Sequence, residues 1–153
     1  MSLDGTREES RYRRPESVLV LVYTPQAEVL LLERRRPFAF WQSVTGSLEH
    51  GETHAAAAPR ELAEETGLGG EGQLSFSGRQ RVFEIDPRWR HRYPPGVTHN
   101  TEYEYRYCLA AACAVRLDAS EHARYRWLPL AAARERAWSW TNREALDLLE
   151  REL

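Results

Sequence analysis

The sequence predicts one α+β domain built on a mixed sheet, with strands first, a helix, further strands and a second helix. The chain has 153 residues, which is enough for one ordinary domain. Its hydrophobic content of 42% and charged content of 29% are typical of globular proteins. Runs of β-formers alternate with two segments that have helical composition. We therefore expect a packed globular fold.

The ends and the overall charge limit the partners that we expect. Residues 1–12 are polar and are predicted to form a flexible tail, so that a single domain spans residues 13–153. A net charge of −2 gives no long-range attraction to nucleic acid or to an anionic membrane. No apolar run is long enough to cross a membrane, and Cys108 and Cys113 are expected to be buried free thiols. We expect a cytoplasmic protein with a small-molecule partner, and no pattern predicts an oligomeric state.

The first strands follow from short apolar runs. SVLVLVY (17–23) and EVLLLERR (28–35) flank the turn-forming TPQA, which predicts a hairpin that is buried on both faces. FWQSVTG (40–46) predicts a third short strand.

A helix is predicted next, because Ala, Arg, Glu and Leu dominate the segment that ends at Gly67. Thr53 is a suitable N-cap residue. Pro59 conflicts with a helix that begins after Thr53, because proline has no N–H to donate at an interior helical position. A start at Arg60, with Pro59 in the first turn, is the alternative.

Residues 73–85 and 101–117 predict two long strands, and ARYRWLPL predicts another. The Pro- and Arg-rich loop between the two long strands has a length that often indicates function. TNRE (141–144) fits a capping box, and Leu146, Leu149 and Leu153 are predicted to share the buried face of the last helix.

Three glutamates lie close together in PRELAEETG (59–67). Helical spacing places Glu61, Glu64 and Glu65 near one another, and their repulsion is unfavourable unless a cation binds. Mg²⁺ prefers oxygen ligands and keeps waters for substrate phosphates. The alternative is a solvated acidic face that is balanced by Arg60.

The surrounding residues resemble the signature of the Nudix hydrolases at every fixed position. From Gly46 the chain reads glycine, five residues, Glu52, seven residues and then RELAEETGL. The resemblance implies a Nudix-type α/β/α sandwich with a mixed β-sheet and a hydrolase that cleaves nucleoside diphosphate linkages with Mg²⁺, or with Mn²⁺ as an alternative. It also implies that Glu61, Glu64 and Glu65 bind metal, that one of them acts as a base, and that Arg60 pairs with Glu52.

A closer likeness within the family runs from about Tyr12 to Leu149. It is carried by YRRPESVLVLVY, FWQSVTGSLEHGET, HRYPPGVTHNTE, EHARYRWL and SWTNREA. These segments resemble, in this order, the branch that removes pyrophosphate from dihydroneopterin triphosphate in folate synthesis. The likeness implies that Glu121 is a further metal ligand. It implies a substrate site formed by Arg13, Arg34, Thr45, Phe83, Glu84, Ile85, Asp86 and Ser139.

Each of these residues also has a structural explanation. Arg34 ends a charged strand, Thr45 could bond within its own turn, Phe83 could belong to the core, and Ser139 could cap a helix.

Two other functions stay open. One is the same chemistry on dATP, other nucleoside triphosphates or dinucleoside polyphosphates. The other is a non-catalytic nucleotide-binding module, which the intact set of motif glutamates does not favour.

Overall fold

The computed structural model describes residues 11–153, so most of the predicted tail lies outside the described residues. The strands are β1 (Glu16–Tyr23), β2 (Glu28–Arg34), β3 (Phe40–Gln42), β4 (Val44–Ser47), β5 (Gln73–Glu84), β6 (His99–Cys108) and β7 (His122–Pro129). The helices are α1 (His54–Thr66), α2 (Leu130–Arg136) and α3 (Trp140–Glu152). A short 3₁₀ turn, Arg90–Arg92, lies in the loop between β5 and β6.

The sheet is mixed, as the sequence predicted. The main order is β3-β2-β1-β6-β5, while β4 pairs with β1 and β7 pairs with β2. β1 and β6 run parallel, and the other pairs are antiparallel. β1 separates from β2 after Tyr23↔Val29 and pairs with β4 over 17–20. Helix α1 packs on the two strands β1 and β4 that pair beside this split.

Both faces of the central strands are buried, which confirms the predicted hairpin. Alternate side chains of β1 divide between the layers: Val18 and Val20 pack toward α1, and Leu19 and Leu21 pack toward α2 and α3. Leu62 completes the first cluster, and residues of α2 and α3 complete the second. The result is the predicted α/β/α sandwich.

Two strand predictions were wrong in their bounds. The run 40–46 is interrupted at Ser43, whose N–H donates to Asn142 Oδ1 at 2.8 Å instead of to a strand. The chain changes partner there, from β2 to β1. The strand predicted over 101–117 ends at Cys108, because its partner β1 ends at Tyr23. Both cysteines are free as predicted, but the predicted burial was wrong, because Cys108 is half-buried and Cys113 is exposed.

Helix α1 begins at His54, so the alternative start at Arg60 is wrong. Thr53 caps it as predicted, with Oγ1 accepting from the Ala56 N–H, and Gly67 ends it in the left-handed region at φ 74°. Pro59 lies inside the helix on its exposed side. The Ala55 carbonyl loses its partner N–H to Pro59, and Ala55 is itself an exposed residue.

The cap of α3 is Ser139 and not Thr141. Ser139 Oγ accepts from the Asn142 N–H at 3.1 Å, and Thr141 is buried in the first turn. Leu146 and Leu149 are buried as predicted, but Leu153 follows the end of the helix and is 54% exposed. None of the helices in residues 11–153 has the length and apolar character needed to span a membrane.

Candidate active site

Arg60, at the middle of α1, joins the loop after β4 to the glutamates of this helix. Its Nε and Nη2 donate to the two oxygens of Glu52, each at 2.8 Å, and Nη2 also donates to the Ser47 carbonyl at 3.1 Å. Nη1 donates to Glu61 at 2.9 Å and to Glu64 at 3.1 Å. The guanidinium holds the pKa of Glu52 below its ordinary value. The predicted Arg60–Glu52 pair therefore forms, and it fixes the loop against α1.

Gly46 makes room for the carboxylate of Glu61. A Cβ atom at position 46 would lie 2.1 Å from the Glu61 carboxyl carbon, far inside contact distance. Only glycine lets this carboxylate lie against β4. Burial raises the pKa of Glu61 to about 7, although the neighbouring Arg60 acts in the opposite direction.

Glu65 is the most deeply buried of the three helical glutamates, with 2% of its surface exposed. Oε2 accepts from the Thr45 N–H at 3.0 Å, whereas Oε1 has no hydrogen-bond partner within residues 11–153. Burial raises its pKa well above the ordinary value, and the charges of Glu61 and Glu121 add to the shift. A carboxylate in this setting is stabilised by a proton or by a cation.

The ligand atoms of Glu65, Glu121 and His122 lie within 4.8 Å of one another. His122 Nε2 is 3.4 Å from Glu65 Oε1, and burial lowers the His122 pKa to about 4, so that the ring is neutral at neutral pH. Carboxylate oxygens and a neutral imidazole, together with the free oxygen of Glu65, fit a divalent cation.

Glu64 stands apart from this group. Its side chain is 55% exposed and pairs with Arg60. Its role as a ligand stays a prediction.

His122 was not predicted from the sequence. It is the first residue of β7 and follows Glu121, which lies in the preceding turn. A register shift beside Arg34 pairs that residue with His122 and leaves Ala123 without a partner on β2. Such a bulge changes the direction of a side chain, and no local signal marked this one.

Arginines gather beside the acidic group. Arg13 and Arg34 line a cavity of about 300 Å³ next to Glu61 and Glu121. Arg34 Nε is buried without a hydrogen-bond partner in the described part of the chain. Burial and the charges of Arg13 and Arg34 lower the pKa of Arg92, which indicates that all three lie close together. Arg13 is held there by its own N–H, which donates to the Arg92 carbonyl at 2.7 Å.

A second, larger cavity of about 590 Å³ lies on the α3 side of this region. It shares five residues with the smaller cavity: Arg13, Arg34, Thr45, Gly46 and Ser47. All eight residues of the predicted substrate site line it: Arg13, Arg34, Thr45, Phe83, Glu84, Ile85, Asp86 and Ser139. The structure thus brings together residues that are far apart in sequence, although their contact with substrate stays a prediction.

Several of these residues also have the structural contacts that the sequence left open. Thr45 Oγ1 donates to the Val18 carbonyl at 2.9 Å, and Ser139 caps α3. Asp86 accepts from Arg88 through both carboxylate oxygens, which lowers its pKa to about 2, and Glu84 pairs with Arg90 at 2.6 Å.

Aromatic rings form one wall of the larger cavity. Trp138 lies 5.0 Å from Phe40 and 5.5 Å from Trp89, measured between ring centroids. Trp140 lines the cavity and is 50% exposed. Flat aromatic surfaces of this kind suit a planar heterocycle.

Polar side chains from β6 and β1 line the same cavity on its buried side. They include Ser17, Asn100 and Glu102. No role for Asn100 or Glu102 was predicted from the sequence.

Comparisons with known proteins agree with this geometry. The NUDIX domain model matches residues 13–149. A dihydroneopterin triphosphate diphosphatase from Escherichia coli is 45% identical over 140 residues, which cover 89% of this chain and 92% of that protein. A protein of the same name from Haemophilus influenzae is 35% identical over 144 residues, which cover 89% of this chain and 87% of that protein.

Solved structures give the same result. The Escherichia coli dihydroneopterin triphosphate pyrophosphohydrolase superposes with a TM-score of 0.84 at 42% identity, over 90% of this chain and 95% of that one. A Nudix hydrolase structure from Listeria monocytogenes superposes with a TM-score of 0.74 at 23% identity, over 89% of this chain and 92% of that one. At this identity the likeness supports the fold alone. The family resemblance that was inferred from the motif and the ordered segments is therefore confirmed. The chain belongs to the NUDIX family of hydrolases and is a pyrophosphohydrolase.

Proposed function

We propose that this protein hydrolyses dihydroneopterin triphosphate to dihydroneopterin monophosphate and pyrophosphate, with Mg²⁺ or Mn²⁺ as cofactor. One observation carries the proposal: a large aromatic cavity and a small acidic cavity meet at Arg13, Arg34 and Thr45. The relatives named above bear the name of this activity and cover most of the chain.

The larger cavity would hold the pterin. Its volume of about 590 Å³ lies within the range of small-molecule sites. The aromatic wall offers stacking to a flat ring, and the polar side chains on the buried side offer hydrogen bonds.

The arginines would bind the triphosphate. Guanidinium groups form charge-assisted hydrogen bonds with phosphate oxygens, often two at once. Arg34 lines both cavities. Its buried Nε has no hydrogen-bond partner among the described residues. Phosphate bound at Arg13 and Arg34 would lie next to the glutamates of α1.

Glu61, Glu65, Glu121 and His122 would hold the divalent cation. The cation, when bound, neutralises phosphate charge and lowers the pKa of a bound water. Arg60 and Gly46 fix the position of Glu61, and the Thr45 N–H fixes that of Glu65, so that the acidic group is set before substrate arrives. One of the buried glutamates would accept the proton of the attacking water, as the raised pKa values of Glu61 and Glu65 favour.

We also keep the cytoplasmic location as a proposal. It is supported by two free thiols, one of them exposed, which suit a reducing compartment.

The test is a comparison of substrates under one set of conditions. Pyrophosphate release is measured from dihydroneopterin triphosphate, dATP, GTP and a diadenosine polyphosphate, with Mg²⁺ and with EDTA. We expect the pterin substrate to have the highest kcat/KM and EDTA to stop its turnover. Equal rates on every triphosphate would contradict the narrow assignment, and no turnover of any would favour a binding module.

A further inference from the structure

Two side chains on the buried side of the larger cavity have unused hydrogen-bond acceptors. Asn100 is 1% exposed and Glu102 is 5% exposed, and both line the cavity. Asn100 Nδ2 donates to Ser17 Oγ at 2.8 Å, which leaves Asn100 Oδ1 without a partner in the described chain. Glu102 Oε1 likewise has no hydrogen-bond partner among residues 11–153.

A buried carboxylate on a strand needs a structural partner or a ligand, because burial of an unpaired charge is costly. Glu104, two residues further along β6, also lacks hydrogen bonds to its oxygens within residues 11–153, but it has an ion-pair partner in Arg81, whose Nη1 lies 2.9 Å from its Oε1. Register pairs Arg81 with Glu102 across the sheet, yet the ion pairs of that guanidinium are with Glu104 and with Glu144 of α3. Glu102 has a side-chain hydrogen bond with Thr141, but its Oε1 stays without a partner among the described residues, and the residue lines the cavity.

A matching donor lies in the same cavity. Gln42 Nε2 is buried and has no hydrogen-bond partner in the part of the chain that the structure describes. Three residues that line the cavity therefore each hold a buried polar atom without a partner in the described chain: an acceptor oxygen on Asn100, another on Glu102, and a donor on Gln42. Each would cost free energy in a dry site unless a ligand satisfied it.

We propose that Glu102 and Asn100 determine substrate specificity by accepting hydrogen bonds from the 2-amino-4-oxo-pyrimidine edge of the substrate ring, with Gln42 donating to its 4-oxo group. This inference rests on the proposed function and adds to it the groups that recognise the ring.

The chemistry of that edge explains the choice. A pterin presents, side by side, one acceptor (the 4-oxo oxygen) and two donors (N3–H and the 2-amino group), and guanine presents the same set. Adenine presents an amino donor beside the N1 lone pair, which would face an acceptor oxygen here. A site built for hydrogen bonds rejects analogues that leave its buried polar groups unpaired. The cavity should therefore accept pterin and guanine and reject adenine and hypoxanthine.

The wild-type protein tests the inference first. GTP and ITP differ only in the 2-amino group, and kcat/KM for GTP should exceed that for ITP by about 10-fold or more, the usual effect of a hydrogen bond to a charged group. Pterin and 4-oxopteridine differ in the same group, and calorimetry should show the same preference in binding without any hydrolysis. Equal affinity for the two pteridines would overturn the inference.

Variants then assign the effect to residues. Glu102→Met removes both acceptor oxygens at similar volume and should bring the GTP:ITP ratio close to one, with KM for the pterin substrate raised about 10- to 100-fold. Glu102→Gln keeps one acceptor and should be intermediate. Asn100→Ala should lower the ratio about 3- to 10-fold, as expected for a neutral hydrogen bond. A wild-type ratio in folded Glu102→Met protein would refute the role of Glu102.

Glu104→Gln is the matched control. It also removes a buried carboxylate from the same face of β6, but Glu104 does not line the cavity. It should keep the wild-type GTP:ITP ratio even if its melting temperature falls, because both substrates are tested on the same folded fraction. A loss of the ratio in Glu104→Gln as large as in Glu102→Met would show a general effect of strand charge and would also refute the inference.

The two proposals fail separately. Protein that binds pterin better than 4-oxopteridine but does not release pyrophosphate from dihydroneopterin triphosphate would contradict the proposed function alone. Protein that hydrolyses this substrate but has no preference for the 2-amino group would contradict only the specificity role of Glu102 and Asn100.

Discussion

Gly46→Ala is expected to disable the active site by moving one carboxylate. The added Cβ would lie 2.1 Å from the Glu61 carboxyl carbon, whereas ordinary contacts begin at 3.4 Å. The carboxylate must therefore move by roughly 1 Å or more, and a displacement of that size costs on the order of 10²-fold in rate. The backbone of position 46 is not left-handed, so alanine adds no conformational strain.

The assay is steady-state pyrophosphate release together with a Mg²⁺ titration. We expect kcat/KM to fall about 10²-fold, which is about 3 kcal/mol of transition-state stabilisation. The apparent affinity for Mg²⁺ should fall as well, because Glu61 is a proposed ligand. Circular dichroism and the melting temperature would establish that the variant is folded.

Gly70→Ala is the control. A Cβ at Gly70 would have no atom within 4 Å, and the residue does not have a positive φ. It should keep wild-type kinetics. If folded Gly46→Ala retained activity within about threefold of Gly70→Ala, a margin well below the loss expected from misplacement, the reasoning about Glu61 would be refuted.

Three further predictions use the same site. Glu65→Gln should lose at least about 10²-fold in kcat while its melting temperature shows an intact fold, and near-normal turnover would place the metal elsewhere. Mg²⁺ affinity, measured by calorimetry, should fall as pH falls below about 7, because protons compete for Glu61 and Glu65, whose pKa values burial raises; a flat profile from pH 6 to 8 would contradict this. Glu102→Met should stabilise the metal-free protein more at pH 8 than at pH 5, by about 2 kcal/mol in urea unfolding. The sign follows because burial raises the Glu102 pKa from 4.5 to about 7. Ionised Glu102 therefore lowers the free energy of unfolding of the wild-type protein, fully above pH 7. This loss disappears as the pH falls toward 4.5 and Glu102 becomes protonated.

Features that depend on local chemistry were predictable from the sequence. The Thr53 cap, the Gly67 stop and the two-faced burial of β1 each follow from a few adjacent residues. The Arg60–Glu52 pair was also predicted, although that prediction came from the motif and not from spacing.

Features that depend on distant contacts were not predictable. Asn142, which binds the backbone of Ser43 across 99 positions, interrupts a run that has every property of one strand. The bulge that places His122 beside Glu65 has no signal in either strand. Alternation along β6 does predict one polar face, but polar faces normally meet water. Only the cavity and the packing of α3 make that face a buried site for Asn100 and Glu102.

The charges along the site also set the direction in which substrate binds. Above its raised pKa of about 7, Glu102 on the buried side of the larger cavity is ionised and would repel a triphosphate. Arg13 and Arg34, at the junction with the smaller cavity, would attract it. A substrate with a neutral donor-rich ring and a polyanionic tail would therefore place its ring toward Glu102 and its phosphates toward the arginines. That orientation brings the anhydride bond to Glu61 and Glu65, so the same buried carboxylate that would recognise the ring would also exclude the reversed, unproductive mode.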